Sequence, residues 1–292
     1  MSADAIIIGA GPAGASCALW LAKLGFSPLL VDARPSAGGL LNESPFRNDW
    51  IVTQPGVTGH DLAEGIGLAL AASGVPLILG ASAGGLSRAG AGFDVMLEMP
   101  SGKIEAVSAP HLVIATGVRA RRGGVEGGPR VLFGPGGHVA AHDFKGRSVA
   151  ILGGGDNAFE NYVFARRAGA AEVHLYARTL RAGRLFRTEA DARDIHTGSY
   201  EVDGAAGTVN GRLYDTILVM YGWEPVPVFQ RELQLDQDDR GYLTTDPATC
   251  ETNVTGVYAI GEVAGRAHPC VVTAMADGVT AAKAIQRRIE SA

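Results

Sequence analysis

Two glycine loops carry the first chemistry that can be read from this chain. Gly9-Ala10-Gly11-Pro12-Ala13-Gly14 and Gly153-Gly154-Gly155-Asp156-Asn157-Ala158 each follow an apolar run and open a helical pattern. In such a loop the first glycine permits a tight turn and the second lets the backbone approach a pyrophosphate. The small residue in the last place lets the helix pack closely on the strand. The helix start then offers unpaired N–H groups and a positive dipole end to phosphates. Asp32 lies eighteen positions beyond Gly14, close to the ~20 expected of a carboxylate that accepts bonds from ribose hydroxyls. The first loop therefore reads as a dinucleotide site. The second lacks the carboxylate: the tip of its next strand is Ala177-Arg178, followed by Arg181, Arg184 and Arg187. Guanidinium groups suit a 2′-phosphate, which favours NADPH over NADH there. A solvated basic stretch is the competing reading.

The thiols are few and scattered. Cys17, Cys250 and Cys270 are an odd set with long spacings, so neither a disulfide framework nor a zinc site is expected. No metal site is expected elsewhere, and a reducing cytoplasm is the simplest setting. Cys270 stands in His268-Pro269-Cys270-Val271-Val272-Thr273, just before the final helical pattern. A thiol near a helix N-terminus can have a lowered pKa, and His268 could supply a proton. The alternative is a small residue filling space beside a ligand.

The elements that must position these residues alternate in type. Ala5–Ile8, the helix from Pro12 to about Leu24 and the strand Leu29–Val31 form a βαβ unit with Asp32 at its tip. A helix over Leu62–Ala72 follows, then strands at Ile78–Leu79, Phe93–Leu97 and Ile104–Val107, with a hairpin turn at Pro100-Ser101-Gly102. Leu112–Thr116 is a strand ending in a turn at Gly117. The pattern restarts with the strand Ser148–Leu152, a helix from about Asn157 to Arg167, and strands at Glu172–Tyr176 and Ile217–Met220. Val257–Gly261 is a last strand, and a helix from about Thr273 ends the chain. The Gly- and Pro-rich segment from Gly123 to Gly137 reads as a connection. This order predicts an α/β protein of two Rossmann-like domains of three-layer ββα type, the second inserted into the first. The expected boundaries are 1–117 with 244–292, and 118–243.

Composition agrees with two such domains. The 292 residues can supply two cores, and 41 glycines punctuate apolar segments without a short period. A net charge of -5 gives no footprint for nucleic acid or an acidic membrane. No apolar run approaches the ~18 residues of a membrane span. The apolar N-terminus lacks a basic flank and reads as a strand rather than a signal peptide.

Gly9–Gly14, Gly38-Gly39-Leu40, Pro55-Gly56, Ala115-Thr116-Gly117 and Gly256–Glu262 follow the order seen in the low-molecular-weight thioredoxin reductase family, which the chain resembles over nearly its whole length. The resemblance implies FAD in the first site. Its contacts would come from Gly9, Gly11, Pro12, Ala13, Gly14, Asp32, Ala33, Gly39, Leu40, Thr116, Gly117, Gly261, Glu262, Cys270, Val271 and Thr273. It implies that the final helix points its N-terminus at the flavin, where a positive dipole end stabilises negative charge on the reduced ring. NAD(P) or another second ligand would lie on Gly153, Gly155, Asp156, Asn157, Ala158, Arg178 and Arg181. The chain departs from the family in having Glu262 for Asp, Leu40 for Gln, Thr53 for Asn and Thr179 for the second of paired arginines. The stretch from Thr188 to Tyr214 is also shorter than the family's.

The largest departure is the redox dithiol. Thioredoxin reduction needs CxxC, because a dithiol must take electrons from the flavin and pass them on by thiol–disulfide exchange. Gly136 and Val139 stand at about those positions, and no cysteine occurs between Cys17 and Cys250. The expectation is an FAD-dependent NAD(P)H oxidoreductase, not an ordinary thioredoxin reductase. Its acceptor would be a small molecule or a protein of ferredoxin or flavodoxin type, and its assembly a homodimer. Cys270 and His268 are the catalytic candidates. Two other readings stay open: an FAD enzyme that does not use NAD(P)H, its second site holding another flavin or a small substrate, and a non-catalytic flavin-binding sensor.

Overall fold

The computed structural model describes residues 3–44, 46–90, 92–266 and 268–291. The chain divides into two compact units, 1–118 with 225–292, and 119–224.

In the first unit, strand β1 (Ala5–Ile8) leads through helix α1 (Pro12–Lys23) to β2 (Pro28–Asp32). Helix α2 (Gly59–Ser73) and β3 (Leu77–Leu79) follow. Next come β4 (Ser82–Ala89), β5 (Gly92–Glu98) and β6 (Ile104–Ala109), an antiparallel sheet of their own, and then β7 (His111–Ile114). The second unit holds β8 (Val131–Phe133), β9 (Ser148–Leu152), α3 (Asp156–Arg167), β10 (Glu172–Ala177), β11 (Ile195–Thr197) and β12 (Thr216–Val219). The chain returns to the first unit with β13 (Val257–Ala259) and α4 (Val271–Glu290).

The central sheet of the first unit runs β13-β7-β1-β2-β3, all parallel. The strands β13, β7, β1 and β2 are buried throughout, as parallel strands covered on both faces require, and the edge strand β3 is half-buried. Because strand side chains alternate, Ala5, Ile7, Leu30 and Val113 face α1 and α4. Ile6, Ile8, Leu29 and Val31 face Phe93, Val95 and Leu97 of the antiparallel layer. The second sheet runs β8-β12-β9-β10-β11, also parallel. Helix α3 covers one face through Phe159, Tyr162 and Ala165. Small antiparallel strands between Val202 and Leu213 lie over the other, about Tyr214 and Val209. Both units are thus the expected α/β build.

Two details differ from the sequence reading. The second unit ends at Glu224 and not at 243. The reason is that Val226 N–H donates to the Gly117 carbonyl at 3.0 Å, and Phe229, Leu233, Leu235 and Leu243 enter the core of the first unit. The Gly- and Pro-rich connection also contains a strand, β8, paired in register with β12 from Val131↔Ile217 to Phe133↔Val219.

Among the described residues no helix is long and apolar enough to cross a membrane.

Candidate functional site

In the first unit the strand order reverses between β1 and β7, which opens a crevice at their carboxyl ends. The loop leaving β1 turns at Gly9. Its φ is +110°, and a Cβ there would stand 2.3 Å from the Ala115 carbonyl oxygen. At Gly14 a Cβ would lie 1.9 Å from the Gly9 carbonyl oxygen. Gly11 is different. A Cβ at Gly11 would meet only the Gly39 Cα, at an ordinary contact distance of 3.9 Å, so no side chain lies against it there. Pro12 and Ala13 begin α1, whose N-cap Gly11 has no side-chain cap. By contrast α2 is closed by a reciprocal box in which Asp61 N–H donates to Thr58 Oγ1 at 3.2 Å and Thr58 N–H to Asp61 Oδ2 at 2.7 Å. The first-turn N–H groups of α1 are left for a partner outside the helix.

Asp32 is buried at the end of β2. Its Oδ2 accepts from Ala10 N–H at 2.6 Å and its Oδ1 from Arg34 N–H at 2.8 Å. The carboxylate braces the loop, and each oxygen keeps a lone pair for a further donor. Ala33 is exposed beside it. Gly39 and Leu40 lie in the short turn Gly39–Glu43, joined to the loop by Gly38 N–H donating to the Ala10 carbonyl at 2.8 Å. Thr116 and Gly117 follow β7. The Thr116 hydroxyl donates to the Val226 carbonyl at 2.5 Å, so it holds the returning chain.

Gly261 and Glu262 follow β13. Glu262 is half-buried, and burial pushes its carboxyl above the usual glutamate range. Gly261 N–H donates to Asp277 Oδ2 at 3.1 Å, and Arg266 Nε meets Asp277 Oδ1 at 2.7 Å. The sequence reading missed Arg266 and Asp277. The signal was available: Asp277, Ala281 and Ile285 share one helical stripe, and a carboxylate on an otherwise apolar buried stripe needs a partner.

Cys270 is the N-cap of α4, with Val271 the first helical residue. Its N–H donates to Thr273 Oγ1 at 3.1 Å, and its sulfur lies 3.5 Å from the same hydroxyl. Burial raises the thiol's pKa, as does the nearby Glu262. Hydrogen bonds from the Thr273 side chain and from the backbone N–H groups of Thr273 and Val272 outweigh this, and the net shift is downward. His268 is exposed and meets this group through its carbonyl, which lies 3.0 Å from Thr273 Oγ1. The structure thus brings Cys270 together with Thr273 and Glu262 rather than with the His268 ring. The other two thiols are buried. Burial pushes Cys17 up strongly and Cys250 to about 11.

The second unit repeats the design with β9, and its strand order reverses between β9 and β12. Gly153 has φ +141°, and a Cβ would stand 2.2 Å from the Met220 carbonyl oxygen. Around Gly155 no described atom lies within 4 Å of a Cβ position. Gly155 is also the N-cap of α3 and carries no side-chain cap. Asp156 opens the helix, and its Oδ1 accepts from Gly183 N–H at 2.7 Å. Asn157 follows it, and Ala158 packs fully buried in the core beneath. Arg181 N–H and Ala182 N–H both donate to the Gly154 carbonyl, at 2.7 and 2.9 Å, which folds the segment after β10 onto the loop. The Arg178 and Arg181 side chains are exposed.

Both units therefore present a bare glycine backbone and an uncapped helix start at a sheet's reversal point. The sequence pattern of the pyridine nucleotide-disulphide oxidoreductase family matches residues 3–278. A thioredoxin reductase of Streptomyces coelicolor is 28% identical over 310 residues, covering 96% of this chain and 91% of that protein. A ferredoxin–NADP reductase of Granulibacter bethesdensis is 30% identical over 297 residues, covering 89% and 81%. Among solved structures, Lactococcus lactis thioredoxin reductase superposes with a TM-score of 0.83 at 22% identity, covering 99% of this chain and 100% of that one.

Proposed function

The chain belongs to the pyridine nucleotide-disulphide oxidoreductase family, and from that premise we propose that it passes electrons from NAD(P)H through FAD to an acceptor outside the chain. The observation that carries this reading is the pair of uncapped helix starts, Gly11 before α1 and Gly155 before α3, each beside a backbone no side chain covers. A helix N-terminus of this kind favours a phosphate group, and two in one chain favour two nucleotides.

In this proposal the FAD pyrophosphate lies over Gly11, Pro12 and Ala13, with the remaining lone pairs of Asp32 turned to the adenosine ribose. Gly261, Glu262 and the start of α4 at Cys270, Val271 and Thr273 face the flavin end. Bound there, the flavin supplies hydride acceptance from a nicotinamide and onward electron transfer. The protein's own part is to hold the ring, to set the charge around it and to exclude water. NADPH is the preferred donor, because Arg178 stands where a carboxylate would select NADH.

The spacing of Cys17, Cys250 and Cys270 contains no CxxC, and the burial and raised pKa of Cys17 and Cys250 support a reading without an internal redox dithiol. The acceptor is accordingly a protein of ferredoxin or flavodoxin type, or a small molecule. The same reading takes the protein to be a homodimer working in the cytoplasm.

Anaerobic mixing of the purified yellow protein with NADPH, then with NADH, tests this directly. Loss of flavin absorbance with either donor is expected, faster with NADPH. No loss with either donor over minutes, while dithionite still bleaches the flavin, would sink the proposal.

A further inference from the structure

Two carboxyls and one guanidinium meet at the turn after β13. Glu262, Arg266 and Asp277 line one small cavity with Gly261, Cys270 and Thr273. The guanidinium is committed. Its Nε meets Asp277 Oδ1 at 2.7 Å, and its Nη1 lies 3.5 Å from the Cys250 sulfur. The other oxygen of Asp277 accepts from Gly261 N–H at 3.1 Å. Arg266 and Asp277 therefore neutralise each other. Glu262 is left over: among the described residues no hydrogen bond or ion pair reaches its half-buried carboxyl, and burial pushes that carboxyl up.

The elements packed on this turn bring it no second cation. From α1 comes Ala13, against Gly261, while the only charged residue of that helix, Lys23, stands at its other end. The segment at Tyr242 packs against Gly265 and brings a phenol. Arg240 stacks over that ring at 5.0 Å and is paired with Asp238. His268 is exposed. From α4 come Asp277 and Cys270, whose sulfur lies 3.5 Å from Thr273 Oγ1. Any charge on that thiol would be negative as well.

We propose that Glu262 takes up a proton from solvent as FAD binds and holds the cofactor as a neutral acid, so that loading of the flavin is coupled to pH. This rests on the reading that the first unit binds FAD with Gly261 and Glu262 against it. A half-buried carboxylate keeps part of its water, and a cofactor laid over the cavity removes it. The pyrophosphate is itself dianionic. With Arg266 bound to Asp277, no cation is free to offset a further buried negative charge, and a group so placed neutralises. The protonated carboxyl gains an O–H to donate, which suits a phosphate oxygen, whereas the carboxylate only accepts. No electron moves in this step: one proton leaves the solvent and one carboxylate becomes an acid.

The test is calorimetric titration of the full-length protein, stripped of flavin, with FAD in phosphate and in Tris buffer between about pH 6 and 8.5. The two buffers differ in ionisation enthalpy, so the difference in heat counts the protons taken up. Wild type should take up as much as about one proton, and its FAD affinity should fall as pH rises, by up to about tenfold per pH unit. Glu262→Gln keeps the shape and removes the titration. Its uptake should vanish, and its affinity should stay level over the same range. Cys270→Ser should keep the uptake, which separates the carboxyl from the neighbouring thiol. A readout without any variant comes from infrared spectra of wild type carrying 13C-labelled glutamate: a carboxylic-acid C=O band that moves with the label should appear on FAD binding.

Absence of uptake and of the band in wild type, uptake that persists in Glu262→Gln, or uptake lost in Cys270→Ser would each overturn the coupling. FAD that binds without a proton, and is still reduced by NADPH, would leave the proposed function standing while this inference falls. If the stripped protein does not bind FAD at all, the FAD reading falls and takes the coupling with it.

Discussion

Arg266 and Asp277 form an ion pair of 2.7 Å in which the carboxylate side chain is only 4% exposed. The second carboxylate oxygen holds Gly261 N–H, so one buried group joins the turn after β13 to the second turn of α4. Removing the arginine strands a buried charge, which costs more than the pair itself contributes. Arg266→Met should therefore lower stability by about 3 kcal/mol, read as a fall in urea midpoint with unchanged slope. Asp277→Asn in the same background should recover part of the loss. If Arg266→Met unfolds at the wild-type midpoint, the pair is not holding the turn.

Glu262 gives a pH dependence of definite sign. Burial raises its pKa above the ordinary 4.5. Its stabilising contribution is thus full below that value and is lost as pH rises through the folded pKa. Glu262→Gln removes the titration. In protein stripped of nucleotide, the variant should melt higher than wild type near pH 7.5, and the difference should shrink as the pH falls towards 4.5. A melting difference that is constant across this range would show that the carboxyl is not desolvated.

Much of this site was legible because its residues answer to local sterics. Gly9, Gly14 and Gly153 sit where a Cβ would overlap a carbonyl, and such constraints show as a spacing in sequence. What was missed depends on distant parts of the chain. The strand β4 reads Ser-Ala-Gly-Gly-Leu-Ser-Arg-Ala, with no Val, Ile or Thr, and is a strand because β5 pairs with it from Ser82↔Glu98 to Ala89↔Gly92. The boundary near 225 depends on Val226 bonding back to Gly117. The hydrogen bond between the Tyr200 and Tyr221 hydroxyls joins loops that follow two non-adjacent strands, which no local pattern announces.

The α1–α4 crossing gives a matched pair of glycine substitutions. At Gly278 a Cβ would stand 2.4 Å from the Ala13 carbonyl oxygen and 2.7 Å from Cys17 N, both backbone atoms that cannot give way cheaply. Gly278→Ala should destabilise by about 2 kcal/mol and loosen the start of α1. At Gly65, exposed in α2, no described atom lies within 4 Å of a Cβ position. Gly65→Ala should stabilise by about 0.5–1 kcal/mol, since alanine costs less backbone entropy in a helix. Thermal melts of the two variants should therefore move in opposite directions. Movement in the same direction would mean the crossing is looser than described.

Cys270 separates from the other thiols by reactivity. It is exposed, and its pKa is lowered by hydrogen bonds from Thr273 and Val272 that outweigh burial. Cys17 and Cys250 are buried with raised pKa values. Because the thiolate is the nucleophile, iodoacetamide at pH 7 should modify Cys270 alone in folded protein stripped of flavin and all three thiols in urea, as counted by mass spectrometry. Thr273→Val removes one hydroxyl that lowers the pKa. The alkylation profile of Cys270 should then move to higher pH, towards the ordinary thiol value of 9.0. Whether that thiol also carries electrons is decided separately. Cys270→Ser should keep its flavin and its reduction by NADPH if the sulfur is a contact only, whereas loss of turnover with an acceptor while flavin reduction persists would assign it a redox role.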